Sequence, residues 1–380
     1  MPDPAFPWWS PQFGDAERRL VNEVLESRFL NDGEVTTRFE QQLATLLGVR
    51  HVVGVSSGTA AIFLALASLG IGRGDEVVVP DVTFIATANA VTLAGATPVL
   101  ADVDPKTLTL DPDSFARAIT PRTKAVIPVH VSGRAADLAG LLRVARPRGI
   151  EIIEDAAEAL GSKAGGRPLG TIGRLGCLSF SPQKTITTGQ GGAVLTNDDG
   201  LHRRLRELKD QGRPVRGTGG DDVHGSVGYN FKLTNLQAAV GLGQLASLPE
   251  RLTRMQRTFR AYADGLRGIE GLSLFPFRLE EGESPQWVDA WCQDRDDLVA
   301  FLAERGAECR RFWFPLHTQA PYRQPDDRFP QSTRVAPRSF WLPSALTLSD
   351  EDVATVCGWI RDRLSQRRAA GRVSLSTAGR

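Results

Sequence analysis

A single lysine, Lys184, stands among neighbours that suit a reactive amine. The stretch SFSPQKTITTGQGG, from Ser179 to Gly192, places it after a short apolar run and before threonines and glycines. A partly desolvated amine loses some of its preference for the protonated form, so that it can attack a carbonyl carbon and form a Schiff base. We therefore predict that Lys184 is a nucleophile, and a solvated structural lysine is the alternative.

Two further stretches could bind a ligand beside such an amine. The stretch SSGTAAIFLALASLG, from Ser56 to Gly70, opens an apolar helix with hydroxyls and a glycine, where free backbone N–H groups can bind a phosphate. The stretch IEIIEDAAEALG brings a hydrophobic strand to its end at Glu154 and Asp155. A buried carboxylate needs a cationic partner, which the ring nitrogen of pyridoxal phosphate can provide. The alternatives are a plain serine cap and a salt bridge to an arginine.

The sequence argues against several other ligand-binding motifs. The glycines of GIGRGDEVVVP follow a predicted helix and precede a strand, which is the reverse of a dinucleotide-binding fingerprint. No Gly-Lys dipeptide occurs, which excludes a Walker loop. The four cysteines form no CxxC pair and the five histidines no HExxH motif, so we predict free thiols and no metal site.

The elements that must position these residues alternate between strands and helices. From Val52 to Asp198, short β-branched runs are separated by segments with apolar residues at helical spacing. Strands that are apolar on both faces indicate a mainly parallel sheet covered by helices, in which ligands bind at the carboxyl ends of the strands. The predicted strands are DEVVVP, TPVLADV, KAVIPVHV, IEIIEDA, GCLSFS and GGAVLTN.

We predict two domains and a tail. Residues 1–245 form a large domain that includes the N-terminal helices, residues 246–366 form a smaller C-terminal α/β domain, and residues 367–380 form a disordered tail. The stretch from Gly212 to Gly228 is rich in glycine and polar residues. It is predicted to be a loop that orders only on contact with a partner or substrate.

Composition and charge exclude some classes of partner. Of 380 residues, 41% are hydrophobic and 23% are charged, and the net charge of +1 gives no field that would attract nucleic acid or an anionic membrane. The start of the chain has no positively charged region of the kind that opens a signal peptide. The longest uncharged stretch, Val82 to Ala101, contains several threonines and a proline, so we predict no membrane span and a cytoplasmic protein.

Five motifs occur in an order that resembles the DegT/DnrJ/EryC1/StrS family of sugar aminotransferases: SSGTAA, TFIATANA, EDAAEALG, SFSPQKTITTGQGG and GYNFKLTNLQAA. The resemblance runs from about Pro11 to Ile360. It implies the aspartate-aminotransferase-like fold (fold type I), with a mostly parallel seven-stranded sheet, and pyridoxal 5'-phosphate as cofactor with pyridoxamine 5'-phosphate as its intermediate form. The runs KTITTGQGG and TNLQAA are most similar to the perosamine-synthase-like branch, which aminates the fourth carbon of a nucleotide-linked 4-keto-6-deoxyhexose with glutamate as the expected donor.

The resemblance also implies roles for individual residues. Lys184 matches the Schiff-base lysine and Asp155 the partner of the pyridine nitrogen. Phe84 matches an aromatic ring stacked on the cofactor, although core packing is the alternative for an isolated phenylalanine. The phosphate cradle is matched by Ser179 together with Gly58, Thr59 and Ala60.

Other matched positions concern the partner subunit and the substrates. Asn230 resembles a residue that reaches the phosphate of a neighbouring chain, which implies a homodimer with shared active sites. Lys232 lies where relatives often have arginine. Arg310 and His317 match a segment of the small domain; Arg310 could bind the substrate diphosphate or a carboxylate of glutamate, and a surface ion pair is its alternative. His130 also matches a family position, but we favour a hydrogen-bonded core histidine.

Two positions depart from the family pattern. Relatives usually have glutamine where this chain has Glu158, near the 3-hydroxyl of the cofactor, and an acidic residue where it has Gln190. An acid at the first position would be protonated or would raise the local proton affinity.

Three other functions are considered. Family members that remove a sugar hydroxyl carry histidine in place of the lysine, and Lys184 argues against that activity. Amination of the third carbon, from a 3-keto sugar, stays open. A non-catalytic regulator that binds the cofactor is the alternative from a different class.

Overall fold

A seven-stranded sheet forms the centre of the larger part of the chain, in a computed structural model that describes residues 4–214 and 223–377. The order of its strands is β1-β9-β8-β5-β4-β2-β3. β9 runs antiparallel to both neighbours, whereas the other pairs, from β8 to β3, are parallel. The mostly parallel seven-stranded sheet that we predicted is thus confirmed. The strands are β1 (His51–Val55), β2 (Glu76–Pro80), β3 (Thr97–Ala101), β4 (Thr123–Val126), β5 (Glu151–Asp155), β8 (Leu175–Ser179) and β9 (Gly192–Thr196), with β6 (Lys163–Ala164) and β7 (Arg167–Pro168) in a separate hairpin.

Helices cover both faces of this sheet because its strands are apolar on both faces. On β2, Val78 belongs to one hydrophobic cluster and Val77 and Val79 to the other, as expected for side chains that alternate along a strand. Helices α1, α2, α5, α6 and α8 contribute to the first cluster and α3, α4 and α7 to the second. Their bounds are α1 (Asp15–Ser27), α2 (Glu34–Leu47), α3 (Gly58–Ser68), α4 (Ala86–Leu93), α5 (Pro112–Ala118), α6 (Leu138–Ala145), α7 (Asp199–Lys209) and α8 (Asn235–Ala246).

A second hydrophobic core lies in the C-terminal part of the chain. It is built on an antiparallel sheet of order β10-β11-β13-β12, with aromatic and aliphatic residues such as Tyr262, Phe340 and Ile360 fully buried. The boundary at residue 245, which stays a prediction, lies one residue before the end of α8 at Ala246. The elements are α9 (Leu248–Gly265), β10 (Leu272–Leu274), β11 (Asp289–Cys292), α10 (Arg295–Ala303), β12 (Arg310–Arg311), α11 (Pro330–Val335), β13 (Ser339–Trp341) and α12 (Asp350–Thr377).

The two ends of the chain differ from the simple division of the sequence. At the N-terminus, Phe6 pairs with Ala307, so this segment packs on the second core. The last helix continues to Thr377, whereas we predicted a disordered tail from residue 367. Alanine and arginine in RRAAGR favour a helical backbone, which accounts for the difference.

The loop predicted between Gly212 and Gly228 falls partly outside the described residues, which exclude 215–222. Within the described ranges, no helix is long and apolar enough to cross a membrane.

The two cores meet at a seam where a glycine is required. Gly133 has a φ of 99°, and a Cβ added there would overlap the backbone carbonyl oxygen of Ser284. The preceding residue, Ser132, also has a positive φ, of 52°. This conformation is unfavourable for a residue that carries a Cβ. The backbone carbonyl of Ser132 accepts a hydrogen bond from the Gln286 N–H at 2.8 Å, so the strained turn is fastened to the second core.

We expect Gly133→Ala to lower the free energy of unfolding by about 2 kcal/mol or more, because it combines an unfavourable φ with a backbone collision. The control is Gly149→Ala, whose φ of 64° is also positive but whose added Cβ meets nothing within 4 Å. That variant should lose only about 1 kcal/mol. Urea-induced unfolding of both variants measures the difference, and equal losses would show that the seam tolerates a side chain.

Candidate active site

A cavity of about 240 Å³ lies where the carboxyl ends of β5 and β8 meet the start of α3. This is the edge of a parallel sheet at which ligands collect. Asp155 is the last residue of β5, Ser179 the last residue of β8, and Lys184 follows in the next loop. The residues that line the cavity are Ser57, Gly58, Thr59, Ile62, Thr83, Phe84, Ala86, Thr87, Val129, Asp155, Ala157, Glu158, Ser179, Ser181, Gln183, Lys184, Gln190, Trp287, Arg310, Trp313 and Trp341.

Lys184 presents its amine to this cavity from a nearly buried position. Its side chain is 12% exposed, and Nζ lies 3.1 Å from Oε1 of Glu158. The amine also lies 5.2 Å from the centre of the Trp287 ring, which is within the range of a cation–π contact. The Lys184 backbone N–H donates to the Ser181 carbonyl at 3.0 Å, which fixes the loop below the side chain. The amine is thus held in a defined place by both domains.

Asp155 is a buried carboxylate with acceptor capacity to spare. The Thr87 hydroxyl donates to Oδ2 at 2.8 Å and the Ala157 N–H donates to Oδ1 at 3.1 Å. Burial raises the pKa of Asp155, although these two hydrogen bonds act in the opposite direction. Among the described residues it forms no ion pair with an arginine, the alternative that the sequence left open. A carboxylate accepts about four hydrogen bonds, so it can accept a further donor from a ligand.

The start of α3 forms a small polar cradle. The Ser57 side chain caps the helix by accepting the Ala60 N–H at 3.1 Å. Gly58 faces β8 so closely that an added Cβ would lie 2.8 Å from Cβ of Ser179. The hydroxyls of Ser179 and Ser181 are 3.3 Å apart. Backbone N–H groups and hydroxyls of this kind bind phosphate oxygens, and they do so here at the N-terminus of an eleven-residue helix.

Of the other predicted cofactor contacts, Phe84 lines the cavity and Ala60 does not. The Phe84 ring lines the cavity and is 53% exposed, so it is not a core residue and is free to stack on a planar ligand. Ala60 is buried behind the cradle, and its N–H is already bonded to Ser57. It therefore shapes the helix start and does not line the cavity.

Glu158 lies in the cavity between two donors. Oε2 accepts the Ser132 N–H at 2.9 Å, and Oε1 accepts from Lys184. Burial raises the pKa of Glu158 despite the nearby ammonium group of Lys184, and the charge of Asp155 adds to the increase. The expectation that an acid here is protonated or raises the local proton affinity stays a prediction.

Four of the residues singled out from the sequence lie away from the cavity. His317 is fully buried, with Nδ1 2.6 Å from Oδ2 of Asp81, so it ties its segment to the sheet and does not face the cavity. The Lys232 amine donates to Asp210 at 2.6 Å. Asn230 is exposed outside the cavity lining of this single chain, and His130 is buried with Nε2 2.9 Å from Glu154. Pairing within the fold explains the placements of His317, Lys232 and His130, whereas Asn230 faces solvent.

The second domain supplies a wall that sequence reasoning missed. Trp287, Trp313 and Trp341 line the cavity, and Arg310 lies over the rings of Trp8 and Trp341, at 4.7 and 5.6 Å from their centres. Within the described ranges Arg310 pairs with no carboxylate, so the predicted alternative of a surface ion pair is not observed. Thr87 was also missed, although it lies in the quoted motif TFIATANA. The only signal for the wall was the clustering of tryptophans in the C-terminal half.

The donor set is chemically suited to pyridoxal 5'-phosphate. The cradle at α3 offers neutral donors to a dianion, Asp155 offers an acceptor to a protonated ring nitrogen, and Lys184 offers a primary amine to an aldehyde. Such a ligand would use the remaining acceptor capacity of the buried Asp155.

Comparison with known proteins gives the same picture. The profile described as the DegT/DnrJ/EryC1/StrS aminotransferase family matches residues 11–361. A protein of Caulobacter vibrioides named GDP-perosamine synthase is 38% identical over 320 residues, which cover 82% of this chain and 85% of that protein. The structure of an aminotransferase, TlmJ, from Streptoalloteichus hindustanus has a TM-score of 0.89 at 35% identity and covers 95% of this chain and 99% of its own. The structure of DesI in the presence of its TDP-sugar product has a TM-score of 0.88 at 32% identity, covering 98% and 96%.

We expect Gly58→Ala to weaken binding of pyridoxal 5'-phosphate at least about tenfold, because the new methyl group would occupy the cradle against Ser179. Alanine favours a helix, which offsets part of the cost of this close contact, and circular dichroism checks that the fold is retained. Gly72→Ala is the control, since its added Cβ makes only an ordinary contact, 3.4 Å from the Ala94 carbonyl oxygen. Quenching of tryptophan fluorescence during titration measures the affinity; wild-type affinity in Gly58→Ala would remove the cradle from the site.

Proposed function

The chain belongs to the DegT/DnrJ/EryC1/StrS aminotransferase family and is a pyridoxal-phosphate-dependent transaminase; from that premise we propose that it aminates the fourth carbon of a nucleotide-linked 4-keto-6-deoxyhexose, with glutamate as donor. The observation that carries the proposal is the Lys184 amine in one cavity with Asp155 and the polar cradle at α3. The GDP-perosamine synthases among the relatives and the TDP-sugar product named with DesI support a nucleotide-linked sugar as substrate.

The proposal assigns cofactor contacts to the residues of the cavity. Gly58, Thr59 and Ser179 hold the phosphate group, with Ala60 behind them, and Phe84 packs on the ring. Asp155 keeps the ring nitrogen protonated, a task that its hydrogen bond from Thr87 supports by fixing the carboxylate. When bound, the cofactor supplies an aldehyde that exchanges amines and a ring that accepts electrons. Pyridoxamine 5'-phosphate is its form between the two half-reactions.

Lys184 has two tasks in this proposal. Its Nζ would hold the cofactor, and it would be a free amine once the amine of the donor had taken its place. As a free base, Nζ would take the proton from the α-carbon of glutamate and deliver it to the aldehyde carbon of the cofactor. In the second half-reaction it would move a proton from that carbon to the sugar carbon. Positioned proton transfer of this kind contributes roughly 10²- to 10⁴-fold to a rate. The contact with Trp287 and the 12% exposure of the side chain support this task, because they keep the amine in place and largely away from water.

The wall of the second domain is proposed to bind the substrates. Arg310 is a cation in the cavity lining without a carboxylate partner in the described part of the chain, and the flanking tryptophan rings orient its guanidinium group. It suits a substrate carboxylate or diphosphate. Lys232 and His317, which we also considered as substrate-binding residues, receive less support because both are paired outside the cavity lining.

A homodimer and a cytoplasmic location are part of the same proposal. Asn230 is exposed near the described edge of the loop and is available to the active site of a second copy. Cys177, Cys309 and Cys357 are free thiols, which suits a reducing compartment.

We expect Lys184→Ala to lower the turnover rate at least about 10³-fold while the fold is retained. The substitution removes both the attachment point of the cofactor and the base. Borohydride reduction with pyridoxal 5'-phosphate, followed by peptide mass mapping, should place the label on Lys184 in the wild type and nowhere in the cavity of the variant. Lys124→Ala removes an exposed lysine from β4 and should leave turnover and labelling unchanged. Wild-type turnover in Lys184→Ala would overturn the proposed mechanism.

The choice of substrate is tested with the full-length enzyme, glutamate and a panel of nucleotide-linked 3-keto and 4-keto sugars. We expect amination of a 4-keto sugar, identified by NMR of the product. Exclusive amination of 3-keto sugars would favour the alternative within the family. If glutamate alone leaves the absorption spectrum of the bound cofactor unchanged and no sugar is aminated, the protein is a non-catalytic binder.

A further inference from the structure

Glu158 and Lys184 form a buried ion pair inside the cavity. Their charged atoms are 3.1 Å apart, and the side chains are 5% and 12% exposed. Such a pair is sensitive to the loss of either member, because one charge then stays in a poorly solvated place. Among the described residues, Glu158 is the carboxylate that contacts this amine directly.

We propose that Glu158 is a positioning residue that sets the protonation state of Lys184, by holding the amine as an ammonium ion and accepting its proton when the neutral amine is needed. The inference rests on the proposed function, in which Lys184 is the nucleophile and the base. The step is balanced within the pair: the N–H bond of the ammonium breaks, the O–H bond of the carboxylic acid forms, and no electron leaves either group.

The pair can exchange this proton at little electrostatic cost. The ion pair and the neutral pair both have zero net charge, so the charge of the cavity is the same before and after transfer. A free ammonium would instead have to release its proton to water through a mostly closed site. Burial, which raises the pKa of Glu158, reduces the preference for the charged carboxylate and brings the two forms of the pair closer in free energy.

The backbone at Ser132 holds Glu158 in place for this exchange. The Ser132 N–H binds Oε2, which leaves Oε1 directed at Lys184. Ser132 has a φ of 52°, and its hydroxyl accepts the Trp341 Nε1–H at 3.3 Å. A residue in this unusual conformation needs support from its surroundings, and here both domains supply it.

The charged groups that face the pair determine the sign of the effect. Asp155, from β5, is the other acid that influences Glu158, and it also favours a positive charge on Lys184. The Ser132 N–H faces the pair from the turn before α6, and Trp287 contributes the negative face of its ring from the second domain. Removing the charge of Glu158 therefore weakens the stabilisation of the ammonium ion, and Lys184 should become a neutral amine at lower pH.

The test is the pH profile of the reaction of Lys184 with acetic anhydride, measured by peptide mass mapping on the full chain after removal of cofactor. Glu158→Gln should shift the midpoint for Lys184 by at least about one pH unit to lower pH, while Glu158→Asp, which keeps a carboxylate, should shift it less. Asp210→Asn is the matched control because it removes the carboxylate that lies 2.6 Å from Lys232, outside the cavity lining. It should change the profile of Lys232 and leave that of Lys184 unchanged.

An unchanged Lys184 midpoint in Glu158→Gln would overturn the inference, as would a shift to higher pH. Circular dichroism of each variant identifies a loss of fold, in which case Glu158→Asp provides the comparison. The labelling of Lys184 by pyridoxal 5'-phosphate and borohydride is a separate measurement on the wild type. If that label is absent while the acetylation profile shifts, the proposed function fails and the coupling of Glu158 to Lys184 stands.

Discussion

The structure depends on keeping one amine and two carboxylates in a cavity that is mostly closed to water. Lys184, Glu158 and Asp155 would each lose solvation energy on burial, and a buried charge is tolerated only with partners. Lys184 and Glu158 satisfy one another. Asp155 has two neutral donors and no ion-pair partner in the described part of the chain. Asp155 is therefore the place in the cavity where a positively charged ligand atom gains most.

Two adjacent acids on β5, Glu154 and Asp155, have pKa values that are shifted in opposite directions. Burial alone would raise the pKa of Glu154, but hydrogen bonds from His130, Gly173 and Gly170 outweigh it and lower the pKa overall. For Asp155, burial prevails and the pKa is raised. Successive side chains point to opposite faces of a strand, so one acid fastens the sheet to the loop after β7 while its neighbour faces the cavity. A charge that is fully satisfied by the protein has a structural task, and one that is not has capacity for a ligand.

The sequence predicted the parts of the site that depend on local order along the chain. Strand ends and helix starts have local signals in a sequence. These signals predicted the strand that ends in Asp155, the helix that begins at Gly58 and the lysine that follows β8. The tryptophan wall was not, since Trp287 and Trp341 reach the cavity through the packing of a second sheet on the first. The pairing of His317 could not be predicted for the same reason, because its partner, Asp81, is 236 residues away in the chain. Long-range pairing of polar groups leaves no periodic pattern in a sequence.

The same long-range packing explains why a reactive lysine on one domain requires the other. The indole N–H of Trp9 donates to the Pro182 carbonyl at 3.1 Å, two residues before Lys184. The neighbouring Trp8 packs against both Trp287 and Trp341. The Trp8 backbone N–H is in turn bonded to Glu308 at 3.1 Å. The N-terminal segment thus connects the lysine loop to the second core, and Trp287 meets the lysine amine directly from that core. Because the large domain supplies the amine, Glu158 and Asp155, and the second domain restricts where the amine can go, the reactive geometry is a property of the two cores packed together.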